Sequence, residues 1–156
     1  MAASKLEIRP IRRDERADWE PLWKGYQLFY KVVIPEETTR MTWARLHDPA
    51  EPMEALGACM DGRLQGIAHY LFHRSCWTIG NYCYLQDLFV AETARHLGLG
   101  RALITAVEDR ARQAGASRLY WLTQESNATA RALYDQLAER SGFIQYRKLF
   151  DVIRGA

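Results

Sequence analysis

Cysteine is scarce in this chain: Cys59, Cys76 and Cys83 are the only three in 156 residues, an odd number with no C-x-x-C pair. That count excludes a disulfide framework and a zinc knuckle, and free, largely structural thiols are expected. Long apolar runs are missing too. No window approaches the roughly 20 residues of a membrane span, so no membrane partner is expected. The first ten residues carry Lys5, Glu7 and Arg9 and lack the apolar stretch of a secretory signal, which points to the cytoplasm. An excess of one charge is also absent. Lys plus Arg number 21 and Asp plus Glu 19, a net charge of +2, too small for counterion release to drive binding to nucleic acid. What the chain does have is 48% hydrophobic and 26% charged residues without repeats or linkers, the composition of one globular domain spanning 1–156.

Periodicity supplies the elements. Leu6 to Pro10 alternates as a short strand, and Trp19, Leu22, Trp23, Tyr26 and Tyr30 recur at helical spacing over Asp14 to Lys31. A second helix is predicted over Glu36 to His47, ended by Asp48-Pro49. Ala55 to Met60 and Leu64 to Phe72 read as a hairpin about Asp61-Gly62, and Asn81 to Val90 as a central strand. The spacing of Leu99, Leu103, Val107 and Ala111 marks a helix over Leu97 to Ala114. A strand over Arg118 to Thr123, a helix over Asn127 to Arg140 and a last strand from Gly142 to about Phe150 complete the order. That order implies an α/β fold, a mixed sheet with helices on both faces.

The densest signal is Tyr84-Leu85-Gln86-Asp87-Leu88-Phe89-Val90 followed by Arg95-His96-Leu97-Gly98-Leu99-Gly100-Arg101-Ala102. It is a strand, a short loop and a glycine-marked helix start. Free N–H groups at a helix start attract phosphate oxygens, and glycine lets a pyrophosphate come close. Two glycines alone equally well shape a tight turn. A P-loop is excluded because no Lys followed by Ser or Thr comes after them, and Leu103 holds the place of the third glycine or alanine of a nicotinamide-binding turn.

Arg95-His96-Leu97-Gly98-Leu99-Gly100 matches R/Q-x-x-G-x-G/A and resembles the acetyl-CoA-binding motif of the GNAT superfamily of N-acetyltransferases. Asn127-Ala128-Thr129-Ala130-Arg131-Ala132-Leu133-Tyr134, then Gly142-Phe143, is similar to the second signature of that superfamily. Nearly the whole chain is covered. Trp23 to Tyr30, Tyr84 to Val90 and Leu119 to Asp135 resemble the branch of yeast histone acetyltransferase and D-amino-acid N-acetyltransferase relatives. The Tyr-Leu-x-Asp-Leu-Phe-Val stretch resembles diamine and polyamine acetyltransferases as well.

The resemblance implies a GNAT fold with six to seven strands, acetyl-CoA as co-substrate without a metal, and direct transfer to a primary amine in a ternary complex. Such a reaction needs an N–H donor for the developing oxyanion, a proton acceptor and a proton donor. Carried over to this sequence, the backbone N–H of Leu88 is the first, which implies a bulge in the central strand. Tyr134 is the acid. The coenzyme is expected along Leu88, Phe89, Val90, then Arg95, His96, Leu97, Gly98, Leu99, Gly100, Arg101 and Ala102, and at Asn127, Ala130 and Tyr134.

The base is not evident, because Gln86 stands where polyamine acetyltransferases carry glutamate and cannot accept a proton. Gln86 is expected to orient substrate or water, while Asp87, Glu36 or Glu37 remain candidate bases. Strand alternation puts Asp87 opposite Gln86 and Leu88 unless a bulge re-aims it. Tyr30 is the aromatic candidate to touch the amine. His69, His73 and Cys76 do not make a metal site, since strand residues four apart are separated by about 13 Å. The amine is expected on a small molecule or a peptide, and the aromatic first helix suits a homodimer or larger assembly. The alternative is a noncatalytic acyl-CoA-binding domain acting as sensor or scaffold.

Overall fold

A computed structural model describes residues 2–150 of the chain. Five strands and four helices follow one another as β1 (Leu6–Pro10), α1 (Arg16–Tyr30), α2 (Glu36–Leu46), β2 (Met53–Met60), β3 (Arg63–His73), β4 (Tyr82–Val90), α3 (Leu99–Gln113), β5 (Arg118–Tyr120) and α4 (Ala128–Leu137). The strands lie in the order β1-β2-β3-β4-β5, antiparallel from β1 to β4 and parallel between β4 and β5. This is the mixed sheet that the element order implied. Asp61 and Gly62 both take positive φ, 51° and 81°, so the β2–β3 hairpin turns with the hand that matches strand twist.

Two apolar layers close the sheet from opposite sides. Leu99, Leu103, Val107 and Ala111 of α3 meet Leu56, Ala58, Ala68, Tyr70, Cys83 and Leu85, and Leu133 and Tyr134 of α4 pack against the same cluster. On the other side Trp19, Leu22 and Trp23 of α1 and Leu46 of α2 cover Ala55 and Ile67. The three- and four-residue spacing of these side chains is what fixes the buried helix faces. Gly25 sits where α1 crosses β4: a Cβ there would lie 2.7 Å from the Phe89 ring, so only glycine allows this approach.

The sheet has five strands rather than six to seven, and the difference lies at its C-terminal edge. β5 stops at Tyr120 instead of Thr123, and residues 138–150 pair with no strand among the described residues. Their backbone groups have no ladder, and Phe143, Ile144 and Tyr146 are 78%, 76% and 88% exposed. The apolar pattern of Gly142 to Phe150 is real, but a strand needs a neighbour.

Candidate functional site

The central strand carries one residue too many. Opposite β3, His69 faces Asp87 and Tyr70 faces Leu85, so Gln86 has no partner and forms a bulge. The extra residue resets the alternation: Cys83 and Leu85 before it, and Leu88 and Val90 after it, all pack toward α3. Asp87 then falls on the α1 side, buried at 8% exposure, with an oxygen 3.0 Å from Nδ1 of His69.

Two residues before the bulge β4 loses its other neighbour. β4 and β5 share three rungs, ending at Tyr84 and Tyr120, and the following residues 121–124 belong to no strand. A cleft opens there between the β4 end and α4. On one side of Leu88 it is a cavity of about 500 Å³ lined by Phe89, Val90, Arg95, His96, Gly98 to Arg101, Asn127, Ala130 and Tyr134. On the other side a cavity of about 460 Å³ is lined by Tyr26, Tyr84, Gln86, Asp87, Trp121 to Gln124, Gln145 and Arg147. Tyr30, Leu88 and Tyr134 line both. The two cavities therefore adjoin at Tyr30, Leu88 and Tyr134.

The first cavity suits a pyrophosphate. His96 and Gly98 are left-handed at φ 64° and 84°, and the first helical bond of α3 runs from the Ala102 N–H to the Gly98 carbonyl. The N–H groups of Leu99, Gly100 and Arg101 precede that bond, and Gly98 offers no side-chain cap. Unpaired donors, the positive end of the helix and a loop of left-handed residues make an anion cradle. Gly100 lines the cradle floor beside Leu133. Asn127 caps α4, accepting from the Ala130 N–H, and stands on the cavity wall with Tyr134 two turns on.

Burial raises the pKa of the phenols that line the cleft. The Tyr134 phenol is pushed up to about 12, first by desolvation and then by nearby Tyr30, so it keeps its proton at neutral pH. Tyr26, Tyr30 and Tyr84 are raised as well, by burial first and by the Asp87 charge second. These phenols stay protonated near one carboxylate.

The cavities take in Leu88, Phe89, Val90, Arg95, His96, Gly98, Leu99, Gly100, Arg101, Asn127, Ala130 and Tyr134 on the coenzyme side, and Gln86, Asp87 and Tyr30 on the other. Leu97 and Ala102 line neither: Leu97 is 58% exposed, and Ala102 is tied into the helix by its own N–H. Glu36 is also elsewhere, in an exposed ion pair with Arg16 at 2.8 Å. Thr129 and Leu133 on the first wall, and Tyr84 and Arg147 on the second, escaped sequence reasoning. The helical spacing of Thr129 and Leu133 to Ala130 and Tyr134 was the available signal. His69 also went unassigned, with no signal but its type. It bonds Asp87 and Trp19, while His73 bonds Tyr120 at 2.7 Å, so both imidazoles have protein partners.

The chain matches the model of the Acetyltransferase (GNAT) family over residues 11–138. It is 35% identical to D-amino-acid N-acetyltransferase HPA3 of Saccharomyces cerevisiae over 152 residues, 95% of this chain and 93% of the yeast protein. Its fold is similar to that of ribosomal-protein-alanine N-acetyltransferase from Brucella melitensis biovar Abortus 2308, with a TM-score of 0.78 at 22% identity, covering 94% of this chain and 100% of that one. Aminoglycoside N-acetyltransferase AAC(6')-Iy, solved in complex with CoA, gives 0.78 at 20% identity, covering 94% of this chain and 97% of that one. With this match and a cradle of free N–H groups beside a half-buried phenol, the chain belongs to the GNAT acetyltransferase family and is an acetyl-CoA-dependent N-acetyltransferase.

Proposed function

We propose that the chain transfers the acetyl group directly, in a ternary complex, to the primary amine of a small amino acid held in the second cavity. The observation that carries this reading is the meeting of the two cavities at Leu88, Tyr30 and Tyr134, with buried Asp87 on the acceptor side. Acetyl-CoA, when bound, supplies an electrophilic thioester carbonyl. The groups of the chain do the rest. Asp87 pairs with the incoming ammonium and takes up its proton, a transfer favoured here because it removes two charges from a dry site. The β4 backbone at Leu88 offers its N–H where negative charge develops, and Tyr134 donates its proton on the leaving-group side.

Gln86, exposed at the bulge, orients the substrate, and Tyr30 bridges the two halves. Arg147 lines the same cavity as Asp87, which gives an amino acid one partner for its ammonium and one for its carboxylate. The yeast relative, a D-amino-acid N-acetyltransferase by name, supports that substrate class. The exposed apolar residues Phe143, Ile144 and Tyr146 support a homodimer, and three free cysteines agree with a cytoplasmic home. The test is thiol release from acetyl-CoA over D- and L-amino acids and diamines. Release with amino acids that fails with their amide-blocked forms supports the reading, and release with diamines alone overturns the substrate class.

A further inference from the structure

The Asp87 carboxylate is held from behind. His69, 3% exposed, occupies the facing rung of β3 with Nδ1 3.0 Å from an Asp87 oxygen, and its Nε2 lies 2.9 Å from the indole nitrogen of Trp19, itself wholly buried. Indole N–H can only donate, so Nε2 accepts and the imidazole proton sits on Nδ1, where it is donated to the carboxylate. A second proton at Nε2 would set two N–H groups against each other in a dry core. The ring cannot turn away either, because Trp19 and Trp23 pack around it at 5.9 and 5.1 Å and Trp43 backs Trp19 at 4.8 Å. An apolar trio would fill this volume without any polar group to satisfy, so the polar pair has a cost that a role toward Asp87 explains.

We propose that His69 is a positioning residue for acetyl transfer: fixed by Trp19 with its proton on Nδ1, it donates to Asp87 and holds that carboxylate aimed at the acceptor amine. The inference rests on the reading of Asp87 as the group that meets the amine. His69 is a clamp and not a relay, because Trp19 closes the far side and gives a proton no exit. The other groups facing Asp87 are the phenols of Tyr26 and Tyr30 from α1 and Tyr84 from β4, with Tyr134 and Arg147 on the walls of the same cavity. The phenols are neutral, and Tyr26 and Tyr30 lie tilted against each other with ring centres 4.8 Å apart, so His69 is the partner that meets Asp87 from the β3 side.

Two measurements test this. The first is ring-nitrogen NMR of histidine-labelled full chain between pH 5 and 8, with His69 assigned from His69→Asn. The clamp requires an Nδ1–H signal that persists over this range, and an Nε2–H or doubly protonated ring overturns it whatever the activity. The second is the pH profile of kcat/KM for thiol release from acetyl-CoA with D-alanine. His69→Leu removes the donor and should move the acid limb up by about one pH unit, whereas His69→Asn, which keeps an N–H near the Nδ1 position, should restore it. Acetyl-CoA affinity by thermal shift should be unchanged in both. Equal loss in both variants with an unmoved limb reduces His69 to packing and overturns the proposal. Asp87→Asn runs alongside. If it leaves the profile untouched, the reading of Asp87 has failed; if it abolishes the limb while His69→Leu does not, only the clamp has failed.

Discussion

Tyr84 and Tyr120 stack with ring centres 4.8 Å apart and planes 12° from parallel, and they form the last rung that β4 and β5 share. Above them the two strands part and the cleft begins. The Tyr120 hydroxyl also bonds Nε2 of His73 at 2.7 Å, so one side chain ties β3, β4 and β5 at the root of the cleft. Tyr120→Leu should therefore cost about 2 kcal/mol, the stacking and hydrogen-bond contributions together, read from urea midpoints. Because Tyr84 walls the acceptor cavity and not the coenzyme side, KM for the amine should rise more than Kd for acetyl-CoA.

Tyr134 is the proposed acid, and its removal should separate binding from chemistry. Tyr134→Phe keeps the ring that packs edge-on against Trp121 at 5.5 Å and deletes only the hydroxyl. Turnover should fall about 100-fold, as for loss of a general acid, while acetyl-CoA affinity measured by calorimetry stays near its original value. Unchanged turnover would assign the proton to another group.

Gly98 is expected to be intolerant for a backbone reason alone. Its φ is 84°, yet a Cβ there would meet nothing within 4 Å. Gly98→Ala should lower stability by about 1 kcal/mol and weaken acetyl-CoA binding as the loop relaxes, and Gly98→Asn should do less harm because asparagine visits the left-handed region more readily. Thermal shifts with and without acetyl-CoA check both halves.

Glu15 predicts a pH dependence of stability far from the cleft. Its buried carboxylate accepts two bonds from the Arg9 guanidinium, at 2.6 and 2.8 Å, and one from the Arg12 N–H at 2.8 Å. Chiefly through Arg9, its pKa is lowered from 4.5 to about 2. The native state thus favours the ionised form, so the contribution is complete above the unfolded value and disappears as pH falls toward the folded one. Glu15→Gln should cost about 3 kcal/mol at pH 7, and the gap to the native protein should narrow between about pH 4.5 and 2. Urea titrations of both proteins across that window test it.

The sequence made some of this legible and hid the rest for physical reasons. Hydrophobic periodicity located every helix and strand that has a packing partner, and Asp61-Gly62 marked its turn because that conformation needs those residues. The segment from Gly142 failed as a strand because pairing is a property of two chain segments and periodicity reports on one. Gly98 and Gly100 were readable as a cradle because a helix start and a positive φ are local. Asp87 was not readable by alternation, since a bulge at Gln86 shifts every later residue by one face and leaves no mark in composition. His69 lies 18 residues from Asp87 and meets it only through strand register.

The junction of the two cavities at Tyr30, Leu88 and Tyr134 is proposed to let the amine take the acetyl group without any intermediate on the protein. Initial rates of thiol release with acetyl-CoA and an amino acid both varied test it most directly, with intact mass of the protein after exposure to acetyl-CoA alone. Intersecting double-reciprocal lines and an unmodified protein are the predicted result. Parallel lines with an acetylated protein would contradict it.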